Sequence, residues 1–204
     1  MKLNNLLFPI ALVVVACVAF AVYNANSAPL PEGFPEPTPQ NQIEVKQYPA
    51  YRAATYQTDG KLVNAANSAF YPLYQHISSN EISMTAPVET RYPLETMNGE
   101  SEGEAEVSFL YSSPRIVPKE ISGNIEVKDM KPMMAVSLGL QGAYSYESYQ
   151  SGLQRLSDWL KEHKEYRISG NPRRFFYDGP YIPDALKRSE ILIPIEVVHS
   201  GKIP

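Results

Sequence analysis

The residues of this chain that could do chemistry are few and scattered. Glu106 and Glu190 each stand directly before a β-rich apolar run, Val107-Ser108-Phe109 and Ile191-Leu192-Ile193-Pro194-Ile195. In a poorly solvated groove lined by tyrosines such as Tyr177, a carboxylate attracts cationic aromatic ligands, or with a raised pKa serves as a general acid or base. At a solvated strand edge Glu190 would instead pair with Lys187 or Arg188. His76 and His163 fall in the last turn of a predicted helix, where the unpaired carbonyls and the helix dipole favour a partly positive imidazole. His199 sits in the tail. Arg52, Lys61, Arg173 and Arg174 offer cations, and Met84, Met130, Met133 and Met134 offer soft apolar surface.

Several reaction classes find no support. The chain has no glycine-rich phosphate loop, no Gly-x-Ser-x-Gly elbow, no His-Glu-x-x-His helix and no spaced carboxylate cluster suited to a metal, so no catalytic residue is assigned. Cys17 is the only cysteine. An intramolecular disulfide is therefore impossible, and thiol catalysis and cysteine-ligated clusters are excluded from the folded part. A formal net charge of -4 argues against a general nucleic-acid binder, which normally carries a basic stripe. Arg173-Arg174 and Lys187-Arg188 read as isolated, solvated loop charges.

The elements that must position these groups are doubled. Ile43-Glu44-Val45-Lys46 recurs as Ile125-Glu126-Val127-Lys128, and the match runs without a gap from Ala53 with Ala135 to Gly60 with Gly142. Each copy leads into an amphipathic helix, with Leu62, Ala66, Phe70, Leu73 and Ile77 on one face of the first and Tyr146, Tyr149, Leu153, Leu156 and Leu160 on one face of the second. β-rich runs follow: Ile82 to Arg91 and Glu106 to Ser112, then Arg174 to Tyr181 and Glu190 to Val198. Two strand-strand-helix-strand-strand units predict an α+β domain in which an approximate twofold curls the sheets together and docks one helix on each side.

Met84-Thr85-Ala86-Pro87-Val88, within the run Asn80 to Glu89, resembles the signature of the SOUL haem-binding family. Ile43 to Pro49, Ala69 to Tyr74, Val107 to Tyr111, Phe176 to Tyr181 and Ser189 to Ile195 are similar to that family's other segments, in its order. The resemblance implies a distorted antiparallel β-barrel or sheet flanked by two helices, and non-covalent, reversible binding of haem or a related tetrapyrrole without catalysis. A porphyrin needs an apolar shelf, one or two cations and optionally an axial ligand. His76, Met84, Arg52, Tyr74, Met133 and Arg173 are the candidate contacts. His76 is the candidate axial group because it adjoins the first helix, where the family's haem surface lies. No Cys-x-x-Cys-His run is present, so c-type attachment is excluded. The bland alternative is core packing: Met84 alternates with Ile82 and Ala86 on a strand, and Met133-Met134 straddle both faces of another. Gyrase-inhibitor-like effector-binding proteins resemble the same doubled unit and place a carboxylate where Glu190 stands. The alternative function is therefore a cationic or aromatic effector bound or processed in a groove of Glu190, Tyr177 and Glu106.

The chain divides into residues 1–28, a signal peptide or membrane anchor; 29–42, a proline-rich linker; 43–198, the haem-binding domain; and 199–204, a tail. Leu6 to Val22 is an uncharged apolar run of a length suited to either export role, and Lys2 keeps the N-terminus cytoplasmic. The domain is thus expected to be exported, either membrane-anchored or periplasmic or secreted. Pro29, Pro31, Pro35, Pro37 and Pro39 favour an extended polyproline spacer that holds it off the membrane, with an aromatic-groove ligand as the other reading.

Overall fold

The structure, a computed structural model, describes residues 28–198; the apolar run and the tail, with His199, lie outside them. Its elements are β1 (Ile43–Tyr48), β2 (Tyr51–Thr58), α1 (Ala65–Ser79), β3 (Val88–Arg91), β4 (Ala105–Leu110), β5 (Ile125–Met130), β6 (Met133–Gln141), α2 (Tyr146–Glu162), β7 (Tyr166–Ile168), β8 (Arg173–Phe176) and β9 (Arg188–Val197). The strands form one open sheet in the order β1-β6-β9-β8-β3-β4-β2-β5, with β7 paired to the far end of β9. All the strand pairings are antiparallel. The order is palindromic: exchanging β1 with β5, β6 with β2, β9 with β4 and β8 with β3 reverses it, so the duplication read in the sequence is a pseudo-twofold through the β8–β3 pair. Two expected strands are shorter than read, the run Arg174 to Tyr181 pairing only as far as Phe176. In the other, pairing starts at Val88 rather than Ile82, because Pro87 has no N–H to give a ladder.

Both helices lie on one face of this sheet, one over each half, rather than on opposite sides. Val107, Thr90, Arg174 and Ile191 are consecutive partners across β4, β3, β8 and β9, and in-register partners share a face. Ala69, Leu73 and Ile77 of α1 and Tyr149, Leu153 and Leu156 of α2 pack with Val107, Phe109, Ile191 and Ile193 in a single core. The Ser145 hydroxyl caps α2 by accepting the Ser148 N–H at 3.1 Å. Close docking of this helix needs Gly152: a β-carbon there would lie 2.8 Å from Ile191 Cγ1.

The opposite face is covered by residues read as a spacer. Ala28 and Leu30 pack against a second core of Tyr48, Tyr51, Ala53, Phe175, Tyr177 and Leu192, and Phe34 is buried within it. Hydrogen bonds run from Glu32 N–H to the Ser112 carbonyl and from Asn41 N–H to the Gly139 carbonyl. Between a turn at Pro31–Phe34 and another at Pro39–Gln42 the proline-rich stretch is extended, as its composition dictates, but its extension is laid along the sheet. Phe34, the one aromatic side chain among these prolines, would be left wet on a free spacer, and burying it is worth about 1.5–3 kcal/mol.

The duplication carries one ion pair twice. Lys46 of β1 reaches Glu190 of β9 at 2.8 Å, and the equivalent Lys128 of β5 reaches Glu106 of β4 at 3.1 Å. The proline-rich segment covers the first pair, whereas the second is partly open to water. Removing one partner of a buried pair strands an uncompensated charge, a cost of about 3–5 kcal/mol; an exposed pair contributes about 0–1 kcal/mol. Lys46→Met is therefore expected to lower unfolding free energy by about 3–5 kcal/mol and Lys128→Met by less than about 1, measured by urea denaturation. Equal losses would refute the burial argument.

Candidate functional site

Each face of the sheet offers a site, and β8 serves both. On the face opposite the helices, Ser108, Glu89, Phe175, Glu190 and Gly139 form one cross-strand row. Glu190 has no exposed surface. It accepts from Lys46 Nζ at 2.8 Å, Tyr177 OH at 2.8 Å, Tyr48 OH at 3.2 Å and the backbone N–H of Thr38. Two residues away along the row, buried Glu89 accepts from Tyr51 OH and Arg173 Nη1, both at 2.7 Å. Burial first, and the adjacent carboxylates second, push the Tyr48, Tyr51 and Tyr177 phenols above the ordinary tyrosine range, so all three stay protonated donors. Phe34 fills the space between, edge-on to Tyr48 and Tyr51 at centroid distances of 5.7 and 5.3 Å and tilted against Phe175 at 6.3 Å.

On the helix face, the pseudo-twofold axis emerges between α1 and the start of α2 as an open cleft of about 910 Å³. Val63, Ala66, Asn67 and Phe70 of the first helical region form one wall, and Ala143, Tyr144, Ser145 and Tyr146 form the other. Met84, Val88, Tyr92, Phe176 and Tyr177 line it from the sheet side, as does Arg174. Arg174 is 2% exposed. Its guanidinium donates to the Ser145 carbonyl at 2.7 Å and to the Ser148 and Ser189 hydroxyls, both at 3.1 Å, while Nε has no partner. Among the described residues no carboxylate lies within ion-pair distance of it. The rings of Phe176 and Tyr144 stand 5.0 and 5.5 Å from its central carbon. Burial pushes this guanidinium below its usual pKa. Together with the N-terminus of α2, where backbone N–H groups carry partial positive charge, it puts positive charge in the cleft, while the other charged groups of the lining, Asp178, Asp184 and Lys187, are held in the Asp178–Arg188 and Asp184–Lys187 pairs. Among the described residues no cluster of histidine, cysteine and acidic side chains could hold a metal ion, and no helix is long and apolar enough to cross a membrane.

The sequence-derived contacts are dispersed by this arrangement. Met84 lines the cleft, not from a strand as read but from the irregular stretch before β3. Tyr74 is exposed on α1, stacked 6.2 Å from Phe70 of the cleft wall. His76 is buried away from it, its Nε2 2.8 Å from Tyr111 OH and its Nδ1 3.4 Å from Asn80 Nδ2. Arg52 is paired with Asp129 at 2.7 Å. Met133 packs in the opposite core, with Met134 on the helix side as the two-faced reading expected. Arg173 and Arg174 are not solvated loop charges: they are adjacent strand residues that point to opposite faces, one paired with Glu89 and the other into the cleft. Glu190 pairs with neither Lys187 nor Arg188, which bind Asp184 and Asp178. Tyr177 does join Glu190, but Glu106 sits at the outer end with Arg91 and Lys128.

Three residues that matter here were passed over in the sequence. Lys46 is 144 residues from Glu190, and only the recurrence of Lys46 as Lys128 hinted at a shared role. Phe34 was hidden in the prolines. Gly139 interrupts an apolar strand, the usual mark of another backbone passing close; a β-carbon there would lie 2.1 Å from the Thr38 carbonyl oxygen.

With this geometry in view, the comparisons agree on the fold. The family model described as SOUL heme-binding protein matches residues 35–194, and the chain belongs to that family. Among solved structures, the EcmrR C-terminal domain superposes with a TM-score of 0.62 at 21% identity, over 77% of this chain and 98% of that one. EcmrR in its DNA complex gives 0.61 at 20%, again over 77% of this chain, which spans 58% of that longer protein. An uncharacterized conserved protein from Listeria innocua gives 0.57 at 12%, over 78% and 94%. No curated protein matches.

The surroundings of His76 also set a pH dependence. Burial lowers its pKa below 6.5, so the folded state prefers the neutral ring. Its contribution is fully present above 6.5 and is lost as pH falls from there toward the folded value. The wild-type urea midpoint should therefore drop more between pH 7.5 and pH 5 than that of His76→Gln; parallel profiles would show that the imidazole stays solvated.

Proposed function

We propose that this protein binds haem or a related tetrapyrrole, non-covalently and reversibly, in the cleft between α1 and the start of α2. The observation that carries the reading is Arg174, a buried guanidinium that faces an aromatic cleft with a free Nε and no carboxylate partner. Such a charge is costly unless answered, and a propionate is an answer of the right kind on a ligand that is otherwise flat and apolar. The cleft volume lies within the range of small-molecule sites. Phe70, Met84 and Phe176 provide the apolar shelf, and Ser145 and Ser148 hold the guanidinium in place. Family membership supports haem or tetrapyrrole binding in general. Because the lining includes Met84 and several tyrosines but no histidine or cysteine, apolar contact and the Arg174 charge are assigned the affinity, and His76 a packing role.

A small cationic ligand at Glu190 is the lesser reading, since Phe34 and Lys46 already occupy the positions its ring and charge would take. Export or tethering of the domain is likewise our inference, supported by the apolar run Leu6 to Val22 and by Lys2 ahead of it.

Haemin titrated into the full chain should give a Soret change that saturates at one molecule per chain. Arg174→Gln should weaken it at least about tenfold, equivalent to about 1.4 kcal/mol, and His76→Gln should leave it within about twofold. Linear, unsaturable uptake, or unchanged affinity in Arg174→Gln with its fold intact by circular dichroism, would remove this proposal.

A further inference from the structure

The face opposite the cleft holds a site of different chemistry. Where the segment before β1 crosses it, the contacts are those of a bound peptide. Lys46 Nζ donates to the Glu36 backbone carbonyl at 2.6 Å, and Glu190 accepts the Thr38 backbone N–H, so one ion pair reads a carbonyl and an amide of the same extended strand. Thr38 Oγ1 bridges Lys46 Nζ at 3.0 Å and Ser137 Oγ at 2.9 Å. Phe34 is the anchor, held in an aromatic cage. Gly139 leaves room for the Thr38 and Pro39 carbonyls, which a β-carbon would approach to 2.1 and 2.3 Å. After a turn at Pro31–Phe34, the prolines at 35, 37 and 39 pre-extend the segment and reduce the entropy lost on docking.

The pseudo-twofold supplies an internal control. Lys128 and Glu106 form the equivalent ion pair, partly open to water and with no backbone group hydrogen-bonded to it among the described residues, so the fold does not require a covering strand to hold such a pair. At the covered copy the carboxylate and ammonium keep capacity for one peptide group each. From this we propose that the face is a peptide-binding groove, specific for an extended, proline-flanked segment with an aromatic anchor, and that residues 31–40 are its resident ligand, held in cis. The segment leads back to the apolar run, and a pull from that side meets the Ala28, Leu30 and Glu32 contacts before it reaches Phe34 and Thr38.

The test uses the full chain in mild detergent and a fluorescein-labelled peptide of residues 31–40. Wild type should bind it weakly or not at all, because the groove is filled. The Phe34→Ala/Thr38→Pro chain, which lacks the anchor and the amide offered to Glu190, should become sensitive to protease between residues 29 and 40. It should also bind the peptide saturably. A peptide with Phe34 replaced by Ala should bind that chain at least about tenfold more weakly, a loss of about 1.4 kcal/mol. Adding Gly139→Ala, which blocks the carbonyls, should abolish binding. A dimer of wild type that exchanges segments between copies would support the groove equally. Three results would overturn it: a released segment with no saturable binding in trans, a segment that stays protease-resistant in the double variant, or a double variant that fails to fold. Haemin binding depends on the other face, so its outcome is read separately.

Discussion

A carboxylate with no exposed surface must be answered at each oxygen, and Glu190 organises this fold by demanding four partners from three separate segments. Lys46 comes from β1, Tyr48 from its end, Tyr177 from just past β8 and Thr38 from the segment ahead of the sheet. All four can reach it together only when β1 lies against β6, β6 against β9 and β9 against β8. The pair is not an efficient source of stability, because an apolar pair of similar volume is often as good or better. It does specify which strands are neighbours and which chain segment lies across them.

That demand also explains why the two faces of a symmetric sheet differ. Helices cover one face over both halves, and the twofold axis opens there as a cleft. On the other face the proline-rich segment roofs the Glu190 half and reaches Tyr51 and Ser112 of the other, while Glu106 at the place equivalent to Glu190 remains partly exposed with Lys128 and Arg91. Duplication gave two copies of an ion pair, and a single proline-rich segment made one of them a buried site. β8 links the faces: Arg173 and Phe175 point to one and Arg174 and Phe176 to the other, so alternate residues of a four-residue strand line two different sites.

The doubled α+β fold was legible because its signals are local or exactly repeated in order. The Ile-Glu-Val-Lys motif, the two helical faces and the strand runs all show within a short window, and the palindromic strand order follows from them. The site was much less legible. Arg173-Arg174 looks like a surface pair, and nothing nearby says that a strand will bury both on opposite faces. The partner of Glu190 lies 144 residues away, and nearer Lys187 and Arg188 were the natural candidates. Composition misled most where it was strongest: prolines do extend the 29–42 segment, but extension is as good for lying in a groove as for spanning a gap. Phe34 was the residue that separates those cases.

Gly139 carries the argument one step further. In a strand of this sheet a glycine is a weak choice, since it packs nothing and loses more freedom on ordering than its neighbours. At the pseudo-equivalent position of β2 stands Gln57, which pairs with Glu106 as Gly139 pairs with Glu190. A side chain is thus compatible with the fold at this place and incompatible with the segment that crosses it. The cost of the glycine is met on the β6 side alone, where the Thr38 and Pro39 carbonyls need the room. Folding of the sheet does not explain that asymmetry, whereas accommodation of an extended backbone does.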